Sequence, residues 1–220
     1  MSVRHQILEV RLYRCITFND GNPKFNLENA SRLLGRRITR DAKHEDEYLM
    51  EFEYTKGNVY LRSDGSLVTW GFDTYASALV AITTATFEVL TIPATAPPYE
   101  KPVEMHNTMY KASNVKIMAV TAFCMFGHLV DIPGLLLQYK HPAAGGENGR
   151  CVIKDVTVEG DAISFWITCD GDLATRIRVH SDGRAMIALT KGWKTPFEIT
   201  QIVQRCALES EKVLEPYFHG

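Results

Sequence analysis

The sequence contains two segments that resemble each other, and each is followed by the same tripeptide. The stretch Val10–Phe18, rich in β-branched and aromatic residues, is similar to Val115–Phe123, at an offset of 105 residues. Further along, Ser63-Asp64-Gly65 recurs as Ser181-Asp182-Gly183, at an offset of 118. Internal similarity of this kind is the mark of a repeated structural unit. The sequence therefore predicts one unit of roughly a hundred residues that is present twice, with additional residues in the second copy.

The same order of elements is predicted in both copies, which we place at residues 1–106, including a proline-rich linker, and residues 107–220. Each copy begins with a strand, continues with a short helix and antiparallel strands, and ends with a long helix. Four helix starts are marked by side chains that can accept a hydrogen bond from an unpaired backbone N–H, namely those of Asn26, Thr74 (or Asp73), Asp131 and Thr195. This pattern predicts an α+β fold.

One face of the predicted sheet has no helix to cover it. Two long helices cannot cover both faces of a sheet of about eight to ten strands. Yet the first strand and the strand Ala185–Leu189 are apolar on both faces, whereas a sheet that faces water on one side usually alternates apolar and polar residues. An uncovered apolar face is typical of a surface that binds a partner.

Composition and motifs exclude several classes of protein. The formal net charge is −2, so nucleic-acid binding through overall positive charge is not supported and would need a local basic surface. The cysteines and histidines show no metal-ligand spacing, and no nucleotide-binding or nucleophile motif occurs. No apolar stretch is long enough to span a bilayer, and the N-terminus lacks a signal-peptide pattern. We therefore expect no cofactor, no metal, no membrane or small-molecule partner, and no enzymatic activity.

The order of elements, the duplication, the uncovered face and the Ser-Asp-Gly turn before the last strand together resemble the core of the TATA-box-binding protein (TBP) family. The most similar segments are Val115–Val120 and Asp131–Leu137, and the resemblance extends over about 7–90 and 115–218. It implies a TBP-like saddle in which two pseudo-symmetric repeats form one curved antiparallel sheet, with the helices on the convex face. The concave face of such a saddle binds the minor groove of double-stranded DNA.

The function implied by this resemblance is that of a divergent general transcription initiation factor. Its partners would be promoter DNA and basal transcription factors of the TFIIA and TFIIB type, in the nucleus or, for a virus-encoded protein, in a cytoplasmic viral factory. Glu147 lies in the loop that resembles the family's contact site for a basal factor, and a solubilising surface charge in a glycine-rich loop remains open as an alternative. An alternative is a protein-interaction scaffold that has kept the fold and lost DNA binding, which the net negative charge, Glu51 and Glu53 favour. A third alternative is a small-molecule-binding or catalytic protein, which a closed apolar cavity would support.

The sequence departs from the family at the positions that kink DNA. Family members place a phenylalanine before each of these turns as a wedge between base pairs, and Arg62 and His180 occupy the matching positions here. The paired asparagines of the family's first strands correspond to Arg14 and Ala119. Sequence-selective kinking should therefore be weak, and affinity should come mainly from phosphate contacts.

The candidate DNA-contacting residues follow from the alternation of side chains along the strands. Arg176, Arg178 and His180 alternate with apolar residues and therefore share one face, which the resemblance makes the DNA-facing one. From the pattern alone, an ordinary solvated strand face remains open as an alternative. The resemblance adds the equivalent strand of the first copy, the first strand, and the last-strand threonines. The full set is Arg14, Tyr60, Arg62, Thr69, Arg176, Arg178, His180 and Thr190.

Overall fold

The chain divides into two compact units. A computed structural model describes residues 4–18, 38–40, 47–51, 56–91, 110–140, 151–169, 173–190 and 195–219. The first unit comprises Glu9–Met118, and the second comprises Ala119–Gly220 together with Met1–Leu8. Each unit has its own antiparallel strands and its own helical cover.

The first unit combines antiparallel strands with one long helix. Its elements are β1 (Arg4–Phe18, with residues 9–18 in this unit), β2 (Ile38–Arg40), β3 (Glu47–Glu51), β4 (Asn58–Arg62), β5 (Ser66–Trp70), α1 (Tyr75–Thr91) and β6 (Tyr110–Ala112). The strands are hydrogen-bonded in the order β2-β3-β4-β5-β1, and β6 pairs with the last residues of β1. The first strand therefore lies beside the last strand of a meander.

The second unit has the same strand order around its own meander. Its elements are β7 (Lys116–Met125, with residues 119–125 in this unit), β8 (Leu129–Val130), α2 (Ile132–Lys140), β9 (Cys151–Glu159), β10 (Ala162–Cys169), β11 (Leu173–His180), β12 (Arg184–Leu189), α3 (Glu198–Leu214), a 3-10 turn (Glu215–Tyr217) and β13 (Phe218–His219). The order of the large sheet is β7-β12-β11-β10-β9, and β8 pairs separately with β13. The described residues thus form a mixed α/β fold with extensive antiparallel sheet and three α-helices.

In the first unit, one face of the sheet is covered by α1. Val59 and Leu61 of β4 are fully buried, whereas Asn58, Tyr60 and Arg62, which alternate with them, are partly exposed. Because α1 contacts β4 and β5, the buried face is the one beneath the helix. Cross-strand neighbours share a face, so the register assigns every paired residue of β1 and β5 to the covered or the open side.

The second unit repeats this one-sided cover. Thr175, Ile177 and Val179 of β11 are buried, and the Thr175 hydroxyl lies 3.4 Å from the Cys206 thiol of α3. Helix α2 contacts β9 and β10. Buried Phe165 of β10 pairs with Ile177 and belongs to the same core. Burial of aliphatic and aromatic side chains beneath the helices supplies the main stabilising term of each unit.

Two of the predicted helix caps form. The Ser77 N–H donates to the Thr74 hydroxyl at 3.2 Å, and the Gly134 N–H donates to the Asp131 carboxylate at 3.0 Å. At the third helix the capping box is present in one direction, because the Thr195 N–H donates to the Glu198 carboxylate at 3.0 Å. The helix itself begins at Glu198, two residues later than a cap at Thr195 implies.

The two Ser-Asp-Gly turns are alike in detail. In each, the glycine N–H donates to the carbonyl three residues earlier at 3.0 Å, and the glycine has a positive φ of 84° or 82°. In each, the aspartate carboxylate accepts the N–H of the residue after the glycine. Glycine is required because this left-handed backbone is strained for residues with a Cβ.

Some predicted elements differ or cannot be compared. From its composition, the stretch 36–47 is expected to be a charged loop, and the β-rich pattern of the first strand begins at Ile7. The structure instead has strand β2 at Ile38–Arg40, and β1 starts at Arg4. The predicted short helix 26–34 and proline-rich linker 93–102 lie outside the described residues.

Candidate functional site

The open face of the second unit carries the predicted basic strand. Arg176 and Arg178 are exposed and His180 is partly exposed, on the side of β11 opposite the buried Ile177 and Val179. The structure therefore places these three residues on one face, as the alternation predicts. Thr190, directly after β12, is also exposed.

The strand register arranges this face in rows that cross the strands. We define the tryptophan row and the arginine row by paired residues of successive strands. The tryptophan row is Lys154, Trp166, Arg176, Ala188 and Thr121. The arginine row is Thr157, Ser164, Arg178, Met186 and Phe123. A register shift between Ser164 and Trp166 separates the two rows on β9, where Asp155 has a positive φ of 55°.

Carboxylates accompany the cations at the His180 end of this face. Arg178 forms an ion pair with Glu159 at 3.1 Å, and the His180 ring nitrogen Nδ1 lies 3.4 Å from the Asp161 carboxylate. Beyond the turn, Arg184 pairs with Asp182 at 2.5 Å. The backbone N–H of Arg184, and then its side chain, lower the pKa of Asp182. The positive charge at this end is therefore largely compensated.

The tryptophan row has a different charge balance. Lys154 and Arg176 both lie directly opposite Trp166, one on each side, and both cations are exposed. Within the described part of the chain, no ion pair involves either of them. The net positive charge of the face is therefore concentrated around the Trp166 indole.

The open face of the first unit combines aromatic and basic side chains. Tyr60 meets Trp70 edge to face with ring centroids 6.4 Å apart. The Arg11 guanidinium lies 3.2 Å above the Trp70 ring and pairs with Glu9 at 2.9 Å. Arg62 shares this face with Tyr60 and is partly exposed. One surface of the Trp70 indole is thus already occupied by a neighbouring side chain.

Two predicted contact residues lie on the covered face instead. Thr69 is fully buried, pairs with Val59, and its hydroxyl accepts the Leu12 N–H at 2.7 Å. Arg14 lies opposite the buried Leu67, so its side chain starts from the covered face, and its Nε donates to the Ser113 carbonyl at 2.8 Å. Thr69 and Arg14 are therefore not open-face residues, and each side chain forms a hydrogen bond within the fold.

The remaining predictions cannot be placed. Glu147 and Glu53 lie outside the described residues, and of Glu51 the structure shows only that it ends β3 opposite Asn58. Among the described residues, no cluster of His, Cys, Asp and Glu could hold a metal ion, and no helix has the length and apolarity needed to cross a membrane.

Four open-face residues are not among those predicted from the sequence, namely Lys154, Trp166, Arg11 and Trp70. A signal for Trp166 exists, because Asp170-Gly171-Asp172 predicts a tight turn between two strands. Pairing those strands about that turn would have set Trp166 against Arg176. Alternation along each strand taken separately does not bring these two residues together.

Comparison with known proteins shows the fold. No protein family matches the sequence, and no curated protein matches it. Among solved structures, the chain is similar to TBP from Methanococcus jannaschii, with a TM-score of 0.56, 12% identity, and coverage of 95% of this chain and 98% of that one. It also aligns with a rolling circle replication initiator protein from Geobacillus stearothermophilus, at 13% identity and coverage of 95% of this chain and 80% of that one, but the TM-score of 0.30 does not indicate a shared fold. The chain therefore has a TBP-like fold.

Proposed function

We propose that this protein binds promoter DNA through its open sheet faces and acts as a divergent TBP-like factor in transcription initiation. The observation that carries the proposal is the open face of the second unit, where exposed Arg176 and Arg178 project from a sheet whose other face is covered by helices. The similarity in fold to a TBP supports the same use of that face. The proposal includes the duplication and the saddle implied by the resemblance, which a small-angle scattering curve of the whole protein tests.

The proposed contacts are mainly to phosphates. Arg176 and Arg178 supply charge on the second unit, and Arg62 with Tyr60 supplies a basic and aromatic surface on the first. Arg62 and His180, the residues before the two turns, are polar, so they cannot act as the apolar wedges that unstack base pairs. The protein therefore binds DNA with little sequence selectivity and kinks it weakly.

The proposed function includes the form of the DNA, the protein partners and the site of action. The DNA is double-stranded and contacted in the minor groove, and the protein partners are basal transcription factors of the TFIIA and TFIIB type. The site of action is the nucleus, or a cytoplasmic viral factory if the protein is virus-encoded. Binding alone accounts for this role, so neither a cofactor nor a catalytic step is part of the proposal.

A duplex titration tests the DNA contact. We expect the Arg176→Ala/Arg178→Ala variant to lose most affinity for any duplex, and each lost phosphate contact to lower the salt slope by about one unit. The variant should keep its circular dichroism spectrum, because both side chains lie opposite the buried Ile177 and Val179. Lys212→Ala, which removes one exposed charge from α3, is the control for charge lost away from the open face. Unchanged affinity in a folded double variant contradicts this surface.

Co-purification from the native cells tests the role in transcription. We expect the tagged full-length protein to recover polymerase or basal-factor subunits, and recovery without any of them counts against the proposal. Nuclease treatment before purification separates partners held by protein contacts from those held only by shared DNA.

A protein-interaction scaffold is the second candidate function. Glu159, Asp161 and Asp182 compensate cations on the open face of the second unit, which weakens its attraction for phosphates. A scaffold of this kind shows no affinity for DNA even at low salt, whereas a DNA-binding protein loses affinity steeply as salt rises.

A further inference from the structure

The tryptophan row is the part of the second open face where positive charge is not compensated. Arg178, Arg184 and His180 each have a carboxylate within 3.5 Å. Lys154 and Arg176 have no such neighbour among the described residues, and both flank Trp166. Charge and aromatic surface therefore coincide at one position of the sheet.

The geometry of the row leaves the indole accessible to a flat ligand. Paired strands lie about 4.8 Å apart, so Lys154 and Arg176 begin next to the Trp166 ring on opposite sides. Beyond Arg176 the row continues with Ala188 and Thr121, whose side chains are small. In the neighbouring arginine row the corresponding positions hold the bulkier Met186 and Phe123. On the β7 side, the side chains of the tryptophan row consequently project less far from the sheet than those of the arginine row.

The two described tryptophans differ in what already contacts them. Arg11 lies 3.2 Å over the Trp70 ring, and Tyr60 approaches its edge. No aromatic ring or guanidinium of the described residues stacks on Trp166, which is partly exposed. Part of the Trp166 ring surface therefore remains accessible to a ligand. Two cations flank this ring, and a neutral aromatic ligand would pair with neither of them.

We infer that the tryptophan row binds an unpaired nucleotide of a DNA strand, with the base stacked on Trp166 and the adjacent phosphates on Lys154 and Arg176. This inference rests on the proposed DNA binding and names the form of DNA that this part of the face takes. In an intact duplex, base faces are covered by their neighbours and become available only after unstacking. An unpaired base exposes its face without that cost, and stacking on an aromatic ring tolerates any base.

The experiment compares two DNA molecules of equal length, one fully paired and one with a central unpaired loop. Trp70→Phe/Trp193→Phe keeps Trp166 as the single tryptophan reporter, and its affinity is first compared with that of the unmodified protein. We expect tighter binding of the looped DNA and quenching of Trp166 fluorescence by it. In the unmodified background, Trp166→Ala should weaken looped-DNA binding by about tenfold and duplex binding by less than about twofold.

Further variants separate stacking from charge. Trp166→Phe, which preserves an aromatic ring, should retain more of the preference for looped DNA than Trp166→Ala, and it serves if the alanine variant fails to fold by circular dichroism. Lys154→Ala should lower the salt slope for looped DNA by about 0.7. Lys212→Ala on α3 removes the same charge away from the open face and should leave this slope unchanged.

The outcomes test base stacking on the tryptophan row separately from the proposed DNA-binding function. If the unmodified protein binds neither DNA, the proposed function is wrong. If it binds both equally and Trp166→Ala changes nothing, the proposed function stands and the tryptophan row is not a base-stacking site. Equal displacement of looped DNA by polyglutamate of matched charge, with the same quenching, would also overturn the inference, because the row would then bind acidic chains in general.

Discussion

Arg178 and Glu159 form an ion pair 3.1 Å long across the open face of the second unit, from β11 to β9. Both side chains are about half exposed, so water and salt screen the pair and it stabilises the fold by only about 0–1 kcal/mol. Its larger effect is on the charge that Arg178 presents to a ligand. Glu159 thus reduces the affinity of this face for anions.

Glu159→Gln should therefore strengthen DNA binding. The substitution removes one negative charge and releases Arg178, so we expect several-fold tighter binding at about 50 mM salt, a smaller gain at about 200 mM, and a change in unfolding free energy below about 0.5 kcal/mol. Anisotropy titrations and urea denaturation measure the two effects. Glu209→Gln, which removes the same charge from α3, is the control, and an equal gain there would mean that only net charge matters.

Gly183→Ala should destabilise the protein more than Gly160→Ala. Both glycines have a positive φ, of 82° and 64°, so both substitutions strain the backbone. A Cβ at Gly183 would also collide with the His128 carbonyl oxygen, whereas a Cβ at Gly160 meets no atom within 4 Å. We expect Gly183→Ala to cost about 1–3 kcal/mol more in urea denaturation. Equal losses of unfolding free energy would show that the His128 carbonyl can move away from the new Cβ without destabilising the fold.

Thr69→Val should lower stability without affecting DNA affinity. The substitution keeps the side-chain shape but leaves the buried Leu12 N–H without the hydroxyl that accepts it at 2.7 Å. An unsatisfied buried donor costs about 1–3 kcal/mol. Thr69→Ser retains the hydroxyl and should recover part of the loss in the same urea denaturation series. A large drop in DNA affinity for a folded Thr69→Val protein would return this residue to the binding surface.

Alkaline pH should weaken the fold partly through Cys124. Burial, with a smaller effect of Cys206, raises the pKa of the Cys124 thiol from 9.0 to about 12. The thiol therefore contributes its full stability below pH 9.0, and the contribution is lost as pH rises towards about 12. The loss approaches about 1.4 kcal/mol per pH unit.

The measurement is the unfolding free energy from pH 8 to about pH 10.5, and Cys124→Ala should show the shallower decline. Burial also raises the pKa of Tyr217, but that contribution is common to both proteins and cancels in the comparison. Identical slopes would show that Cys124 does not ionise differently in the folded and unfolded states.

The misplacement of Arg14 comes from the register of the first strand. The Ile16 N–H bonds to the Gly65 carbonyl and the Phe126 N–H bonds to the Gly183 carbonyl, so the first strands of the two units correspond at an offset of 110. Sequence similarity indicated an offset of 105. The difference is odd, and successive residues of a strand face opposite sides, so the shift exchanges the two faces. Arg14 was consequently assigned to the open face.

This error was not avoidable from apolar similarity alone. Strand β7 has apolar residues on both faces, so matching an apolar residue of β1 to one of β7 cannot distinguish registers that differ by one residue. The last strands were located correctly because the Ser-Asp-Gly turn fixes where each begins. The faces of Arg176, Arg178 and His180 followed from that anchor and from strict alternation with buried residues.

Helix caps and turns were the most predictable part of the fold, because their chemistry is local. Asp131 and Thr74 act through backbone groups three residues away, which the sequence places directly. The tryptophan row depends instead on which strands are neighbours and on a register shift in β9. No feature of β9 taken alone indicates that Lys154 and Arg176 flank the same ring.

The kink at Asp155 also has a consequence for self-association. Among the described strands, β9 pairs only with β10, so its other edge presents backbone groups that could template pairing with a second molecule. A left-handed residue in the middle of the strand interrupts the regular spacing of those groups, and a second strand pairing there would have to remove the exposed charges of Lys154 and Asp155 from water. Edge-to-edge aggregation along β9 is thereby disfavoured, and the irregularity that aligns Lys154 with Trp166 also helps to keep the sheet edge soluble.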